Sequence, residues 1–253
     1  MPTYALLGRS LAHSFSRGYF AEKFAALGLR DHHYVNLEVP TAEEIAAALR
    51  GVPDLRGFNV TIPYKRAVVT LLASLGAAAA EIGAVNVVRV AGDGTLHGHN
   101  TDWLGFADSL ALVDREDLRN TDALVLGTGG ASAAVAYALR EAGFAVRLVS
   151  RRPAGGQFGY EALDGLDWSA PRLIVNTTPV GTAPDAEAMP RVPVNELGRQ
   201  HAVVDLIYNP AETRLLREAR LRGAQTANGL PMLHGQAEAA WAIWSADDGR
   251  AAV

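Results

Sequence analysis

The sequence predicts an α/β protein of two domains, a mixed-sheet α/β unit over the first hundred residues and a doubly wound, Rossmann-like unit after it. Three observations carry this expectation. Short apolar or β-branched runs alternate with helix-period segments along the chain, the pattern of sheets with helices packed on them. The pattern restarts after Asp102 with the apolar run Ala123-Leu124-Val125-Leu126, of the kind found in a parallel sheet covered on both faces. That run leads into a glycine-rich turn, Gly127-Thr128-Gly129-Gly130-Ala131-Ser132, and then into a helix.

In chain order, residues 4–8 read as a buried strand. Residues 16–27 read as a helix with Phe20, Phe24 and Leu27 on one face. A second strand is expected at 33–37. A helix over 41–50 is expected to open with a capping box, Thr41 and Glu44. A strand at 58–61 ends at Pro63, and 64–75 is expected to be helical. Residues 85–90 and 95–98 flank Gly92-Asp93-Gly94 and read as a β-hairpin. A helix follows over 103–112. In the second half, helix 130–142 is followed by strands at 145–149, 173–176 and 202–206. Residues 153–166 are expected to be irregular. The last helix, from 231 to about 246, has Leu233, Ala237, Ala240, Trp241 and Trp244 on one face. The expected boundaries are 1–101 plus 230–253 for the first domain and 102–229 for the second.

Composition narrows the chemistry. A net charge of -4 and scattered arginines give no reason to expect nucleic-acid binding. With no cysteine there are no disulfides, thiolate ligands or thiol nucleophile, which fits a cytoplasmic location. The N-terminus has neither the basic start nor the apolar core of a signal peptide. No uncharged apolar run reaches the roughly 18 residues that would span a bilayer, so no membrane partner is expected. The seven histidines show no spacing that would hold a metal, and none is expected.

The glycine turn after a strand reads as an anion-binding βα start. Gly127 permits the sharp turn, Gly129 allows close backbone approach, and the helix N-terminus faces a pyrophosphate. A plain tight turn is the structural alternative. An NAD site usually has an acidic residue about 20 residues further on, at the end of the second strand. Here that strand ends in Ser150-Arg151-Arg152. An arginine there can grip a 2′-phosphate, so the residues favour NADP(H) over NAD; the alternative is a solvated surface pair.

Upstream lie Gly57-Phe58-Asn59-Val60-Thr61-Ile62-Pro63-Tyr64-Lys65, then Gly83-Ala84-Val85-Asn86, then Gly98-His99-Asn100-Thr101-Asp102. A lysine with a mobile proton beside an aspartate suits proton exchange with a ketone or alcohol. Opening a helix would disfavour the charge on Lys65, and a nearby Asp102 would favour it. Either residue also has an ordinary reading, Lys65 as a surface lysine and Asp102 as an N-cap. Asn59, Thr61, Asn86 and Gln236 both donate and accept hydrogen bonds, as polyol recognition requires; Asn86 is equally readable as a satisfied core amide. Ser14 and Ser16 open the first helix, where hydroxyls cap the helix or bind a carboxylate.

In this order, over residues 4–244, these segments resemble the shikimate dehydrogenase family. Val204-Asp205-Leu206-Ile207-Tyr208-Asn209-Pro210 and Asn228-Gly229-Leu230-Pro231-Met232-Leu233-His234-Gly235-Gln236 extend the resemblance. It implies an oxidoreductase of aromatic amino-acid biosynthesis that reduces 3-dehydroshikimate to shikimate with NADPH. Lys65 and Asp102 would be the catalytic pair. Ser14 and Ser16 would hold the substrate carboxylate, with Thr61, Asn86, Tyr208 and Gln236 also on substrate; Asn59 falls at a framework position. Cofactor contacts would come from Gly127, Gly129, Gly130 and Ala131, from Ser150, Arg151 and Arg152, and from Gly229. The chain departs from the family at Arg17, often proline, at Ser150 and Arg152 within a usual Asn-Arg-Thr, and at Pro179 in place of a serine. The rival readings are an NAD-preferring quinate/shikimate dehydrogenase and a ligand sensor without turnover. A monomer or homodimer is expected.

Overall fold

β1 (Thr3–Gly8) is buried along its whole length, and its alternation divides one core from another. Tyr4 and Leu6 point to one face, with Phe20, Phe24, Trp241 and Trp244. Ala5 and Leu7 point to the other, with Ile45, Phe58, Val60 and Tyr64. The period of two in a pleated strand produces this separation directly. The computed structural model describes residues 1–12, 14–113, 116–119 and 121–246. The chain falls into two units, Met1–Thr101 with Ala237–Val253, and Asp102–Gln236.

In the first unit β1 is followed by α1 (Ser16–Ala26), β2 (His33–Glu38), α2 (Ile45–Arg50), β3 (Leu55–Val60), β4 (Ser74–Leu75), α3 (Ala77–Ile82), β5 (Val87–Val90) and β6 (Leu96–His99). The sheet order is β2-β1-β3-β5-β6-β4. β1 pairs in parallel with β2 and β3, while β3–β5 and β5–β6 are antiparallel, so the sheet is mixed. An aromatic cluster fills one face. Phe20 stacks on Tyr34 with centroids 4.5 Å apart, and Tyr4 lies 4.9 Å from Trp244.

The second unit contains α4 (Asp102–Ala111), β7 (Asp122–Leu126), α5 (Gly130–Glu141), β8 (Ala145–Ser150), β9 (Phe158–Gly159), β10 (Arg172–Asn176), β11 (His201–Asp205), α6 (Arg214–Leu221), β12 (Gln225–Ala227) and the start of α7 (Leu230–Ser245). Its strands are parallel in the order β12-β11-β10-β7-β8-β9. Counted within the unit this is the 3-2-1-4-5-6 order of the Rossmann fold, with its switch point between β7 and β10. Ala123, Val125, Leu173, Val175, Ala202 and Val204 face one core, and Leu124, Leu126, Ile174 and Val203 face the other. Burial on both faces explains why these strands read as continuous apolar runs.

Several expectations are corrected. Residues 64–75 do not form an α-helix; they make a turn, a 3-10 segment at Ala67–Leu71 and β4. The β-branched Val68, Val69 and Thr70 disfavour a regular helix, and the Val85 amide draws the Lys65 carbonyl into a bond 2.7 Å long. α2 starts at Ile45, not Thr41, because the Thr41 hydroxyl donates to the Glu44 carboxylate instead of capping the backbone. Residues 153–166 are not wholly irregular. They carry β9 and a 3-10 segment at Tyr160–Gly165, anchored by buried Leu163. α6 and β12 are additional elements. The Thr213 side chain caps α6 by accepting from Leu216 N, and Leu215, Leu216 and Ala219 form its buried face.

Candidate functional site

In the first unit the polar candidates gather where β1 and β3 end in parallel, with Leu7 opposite Val60. Beyond β1 the chain is fastened to the end of β2: Leu11 N donates to Glu38 Oε1 at 2.7 Å, and Asn36 Nδ2 donates to Leu11 O at 3.2 Å. Ser14 N then bonds Leu11 O at 3.0 Å. This delivers Ser14 and Ser16, both half-buried, to the start of α1. The N-cap position is Phe15, and no side chain caps the helix. The capping alternative for the two serines is therefore not realised.

After β3, Thr61 N donates to Leu7 O at 2.9 Å and Thr61 O accepts from Tyr64 N at 2.9 Å. Tyr64 is buried, its hydroxyl donating to Val39 O at 2.5 Å. That anchor holds the following Lys65 half-buried in a turn. No α-helix begins there; the turn leads into the 3-10 segment at Ala67–Leu71.

Asn86 lies just before β5 and is buried. Its backbone carbonyl accepts from Val60 N at 2.8 Å and from Asn59 Nδ2 at 3.3 Å. Its side chain donates to Thr101 Oγ1 at 3.0 Å and accepts from Thr101 N at 2.7 Å. Asn100 Nδ2 bonds Ala84 O at 2.9 Å. Thr61, Lys65 and Asn86 thus stand on segments tied to one another by backbone bonds. Asn100 and Thr101 hold this frame, a part that sequence reasoning did not assign to them. Their only signal was two amide-bonding residues in succession beside Asp102.

In the second unit, buried Asp102 is the first residue of α4. It stands in the first turn of that helix. The glycine turn follows β7. Gly127 has φ +114°, and a Cβ on it would lie 2.7 Å from Thr177 Oγ1, so only glycine fits. A chain of donors locks the turn: Gly129 N to Ser132 Oγ (3.1 Å), Ser132 Oγ to Thr177 Oγ1 (2.5 Å), Thr177 Oγ1 to Leu126 O (2.7 Å). The last bond uses the threonine proton, which sets the direction of the others. Ser132 in the sixth position is accordingly a structural lock. Gly130 and Ala131 open α5, where first-turn amides have no intrahelical acceptor.

Ser150 ends β8, and its hydroxyl accepts from Arg152 N at 3.2 Å. Arg151 and Arg152 are exposed and, among the described residues, neither enters an ion pair. β9 pairs Gly159 with Ser150. It brings half-buried Tyr160 close enough for the Arg151 charge to oppose the upward push of burial on its hydroxyl.

At the ends of β10 and β11, Asn176 Oδ1 accepts from Thr178 N and Oγ1, and Asn176 Nδ2 donates to Asp205 Oδ1 at 3.0 Å. Asp205 also accepts from Ile207 N at 3.1 Å and Thr213 Oγ1 at 2.7 Å. Burial pushes its carboxyl up to about 6, against these three bonds. Tyr208 follows, 40% exposed. Gly229 is buried, and a Cβ there would stand 1.9 Å from Leu206 O, so its visible task is close packing on the β11 loop. Gln236 is half-buried in α7, with Nε2 on Leu233 O at 2.9 Å. Among the described residues no metal-binding group of His, Asp and Glu exists, and no helix is long and apolar enough to cross a membrane.

The first unit offers hydroxyl, amide and lysine side chains on segments tied together by backbone bonds, suited to a small polyhydroxylated molecule. The second offers helix-start amides and two exposed guanidinium groups suited to an anionic dinucleotide. A family model described as shikimate dehydrogenase substrate binding domain matches residues 6–88. A shikimate dehydrogenase (NADP(+)) of Thermus thermophilus is 40% identical over 251 residues, covering 97% of this chain and 93% of that protein. A crystal structure of shikimate 5-dehydrogenase from Thermus thermophilus in complex with NADP(H) and shikimate superposes with a TM-score of 0.83 at 36% identity, covering 97% of this chain and 94% of the other. A quinate dehydrogenase from Corynebacterium glutamicum in complex with NAD gives a TM-score of 0.83 at 28% identity, covering 96% of this chain and 93% of that one.

Proposed function

The chain belongs to the shikimate dehydrogenase family, and on that premise we propose that two functional domains divide the work of one reaction: residues 1–101 plus 230–253 bind substrate, and residues 102–229 bind NADP(H). The reaction is the reversible, NADPH-dependent reduction of 3-dehydroshikimate to shikimate, in the shikimate pathway of aromatic amino-acid biosynthesis. The carrying observation is that relatives with this activity match the chain almost end to end, while the polar residues fall at the carboxyl ends of parallel strands in both sheets, where α/β proteins bind ligands.

The second unit fits NADP(H). The turn at Gly127, Gly129, Gly130 and Ala131 is shaped for a pyrophosphate, with Gly229 assigned to the same cofactor. Ser150, Arg151 and Arg152 would hold the ribose 2′-phosphate, and Ser150-Arg151-Arg152 contains no carboxylate to repel it. When bound there, NADPH supplies the hydride. Lys65 gives its Nζ proton to the substrate carbonyl oxygen as the carbonyl carbon is reduced, and takes it back in the reverse direction. Asp102 serves as the second member of the acid–base pair. Ser14 and Ser16 bind the carboxylate through hydroxyl donors, and Thr61, Asn86, Tyr208 and Gln236 fix the ring hydroxyls.

We infer a cytoplasmic enzyme, monomer or homodimer, with no nucleic-acid or membrane partner. The test is the absorbance of the nicotinamide band with shikimate and quinate, each against NADP and NAD. Turnover of shikimate with NADP at clearly higher efficiency than any other pair is the expected result. A preference for NAD with quinate would select the second reading, which the similarity to the quinate dehydrogenase keeps specific and which the paired serines oppose. Binding without turnover would indicate a sensor.

A further inference from the structure

At the edge of the first unit's sheet a serine, a histidine, a threonine and an aspartate are joined in a row of hydrogen bonds. β4 is the edge strand and pairs in parallel with β6, Ser74 opposite His97. Ser74 is exposed and His97 half-buried. Ser74 Oγ lies 2.8 Å from His97 Nδ1. The other ring nitrogen, Nε2, lies 3.1 Å from Thr95 Oγ1. Thr95 closes the turn between β5 and β6, which Gly94 shapes at φ +83°. In that turn Asp93 Oδ1 accepts from Thr95 N at 2.9 Å and from Thr95 Oγ1 at 2.7 Å.

The chemistry of these groups fixes the direction of every bond. An ionised carboxylate only accepts, so the single Thr95 hydroxyl proton faces Asp93. The bonds from the Thr95 amide and hydroxyl hold the Asp93 carboxyl below its ordinary value, which keeps it ionised at neutral pH. Thr95 Oγ1 can then only accept from the ring, so in the neutral imidazole Nε2 carries the proton. Nδ1 is left as the bare base, and the Ser74 hydroxyl donates to it. Strand register alone would give a cross-strand Ser–His pair; the threonine and aspartate of the turn set the tautomer. A hydroxyl donating to an imidazole whose far nitrogen is held by a third group is the arrangement that activates a nucleophile.

We propose that Ser74 is a nucleophile that takes an acyl or phosphoryl group from donors with a good leaving group, with His97 as its base and Thr95 and Asp93 orienting the ring. Ser74 Oγ attacks the carbonyl carbon or the phosphorus, and its proton passes to His97 Nδ1. The bond from that centre to the leaving group breaks, and the leaving group departs with the electron pair; nothing is oxidised or reduced. The positive charge on the ring is met at Nε2 by Thr95, whose own proton stays on Asp93. His97 then gives the proton to the leaving group or to solvent. Ser74 stands exposed on an edge strand, so the site selects by the reactivity of the leaving group and not by shape. The dehydrogenase reaction uses none of these residues, so the two activities are independent.

The test labels the folded protein with diisopropyl fluorophosphate, which forms an Oγ–P bond and releases fluoride, and locates the adduct by peptide mass spectrometry. Ser74 is expected to be labelled well ahead of Ser169. Ser169 is the internal control: it is exposed and its hydroxyl donates to the Asp167 carboxylate at 2.6 Å, with no imidazole in the bond. His97→Gln should slow the labelling of Ser74 by about 10²-fold, the contribution of a general base. Thr95→Val should slow it about three- to ten-fold, the effect of one ordinary hydrogen bond. Ser74→Ala should abolish the adduct there and leave turnover of shikimate with NADP unchanged. If Ser74 stays unlabelled, or is labelled no faster than Ser169, the proposal is overturned. An unchanged rate in His97→Gln would overturn it as well. Thermal denaturation reads the fold of each variant separately. Should His97→Gln not fold, Thr95→Val on the exposed turn carries the same test, and an unchanged rate there would again overturn the proposal.

Discussion

Asp205→Asn should make the second unit more stable at neutral pH and remove a pH dependence that wild type displays. Asp205 is fully buried and accepts three hydrogen bonds, from Asn176 Nδ2, Ile207 N and Thr213 Oγ1. Burial outweighs those bonds and raises its carboxyl from 3.8 to about 6. A carboxyl whose folded value lies above its unfolded value binds its proton more tightly in the folded state. Its contribution is therefore most favourable below about pH 4 and declines as pH rises to about 6, beyond which it is constant. The gap corresponds to ~3 kcal/mol, at ~1.4 kcal/mol for each tenfold in proton affinity. Asparagine keeps the oxygen that accepts from Asn176 and Ile207. It places an N–H opposite Thr213, which already accepts from Leu216 N, and that mismatch costs about 1 kcal/mol. The net expectation is a variant ~1–2 kcal/mol more stable than wild type at pH 8 and no more stable at pH 4. Urea denaturation of both proteins across that range measures it, because subtracting the two curves cancels the other carboxylates. A wild-type-minus-variant difference that stays flat from about pH 4 to about pH 8 would show that burial does not raise the Asp205 carboxyl.

Lys65→Ala should lower kcat by about 10²- to 10⁴-fold with NADP affinity near normal, and Asp102→Asn should also impair turnover; more than half of wild-type kcat in Lys65→Ala would remove Lys65 from the mechanism. One arginine–phosphate contact should favour NADP over NAD by roughly ten- to a hundred-fold in kcat/KM. Arg151→Ala should lose most of that preference without changing NAD use, and added salt should weaken NADP binding more than NAD binding; equal efficiency of the two cofactors in wild type contradicts this. Gly229→Ala should destabilise the second unit by roughly 1–3 kcal/mol, since the new methyl meets the Leu206 carbonyl. An unchanged denaturation midpoint would mean the backbone there yields freely.

The alternation of strand and helix, the parallel apolar strands, the glycine turn and the kinds of side chain available for chemistry are all legible in the chain before it folds. These are local properties. A buried parallel strand must be apolar on both faces, a turn at φ +114° must be glycine, and a helix face repeats within four residues, so each leaves its mark in a short window. The helix expected over 64–75 failed for the complementary reason. Its β-branched Val68, Val69 and Thr70 weaken a helix without forbidding it, and the decisive partner of Lys65 is the Val85 amide, 20 positions away in sequence. The same holds for the site's frame. Asn86 is fixed by Thr101, Tyr34 by Asn59, and Asn176 by Asp205, pairs separated by 15, 25 and 29 positions. An asparagine or a tyrosine is visible at each place, but not the atom that will face it. That choice belongs to the closed fold, because buried polar groups must find partners wherever the packed sheets bring them, and those partners then set the direction of every shared proton.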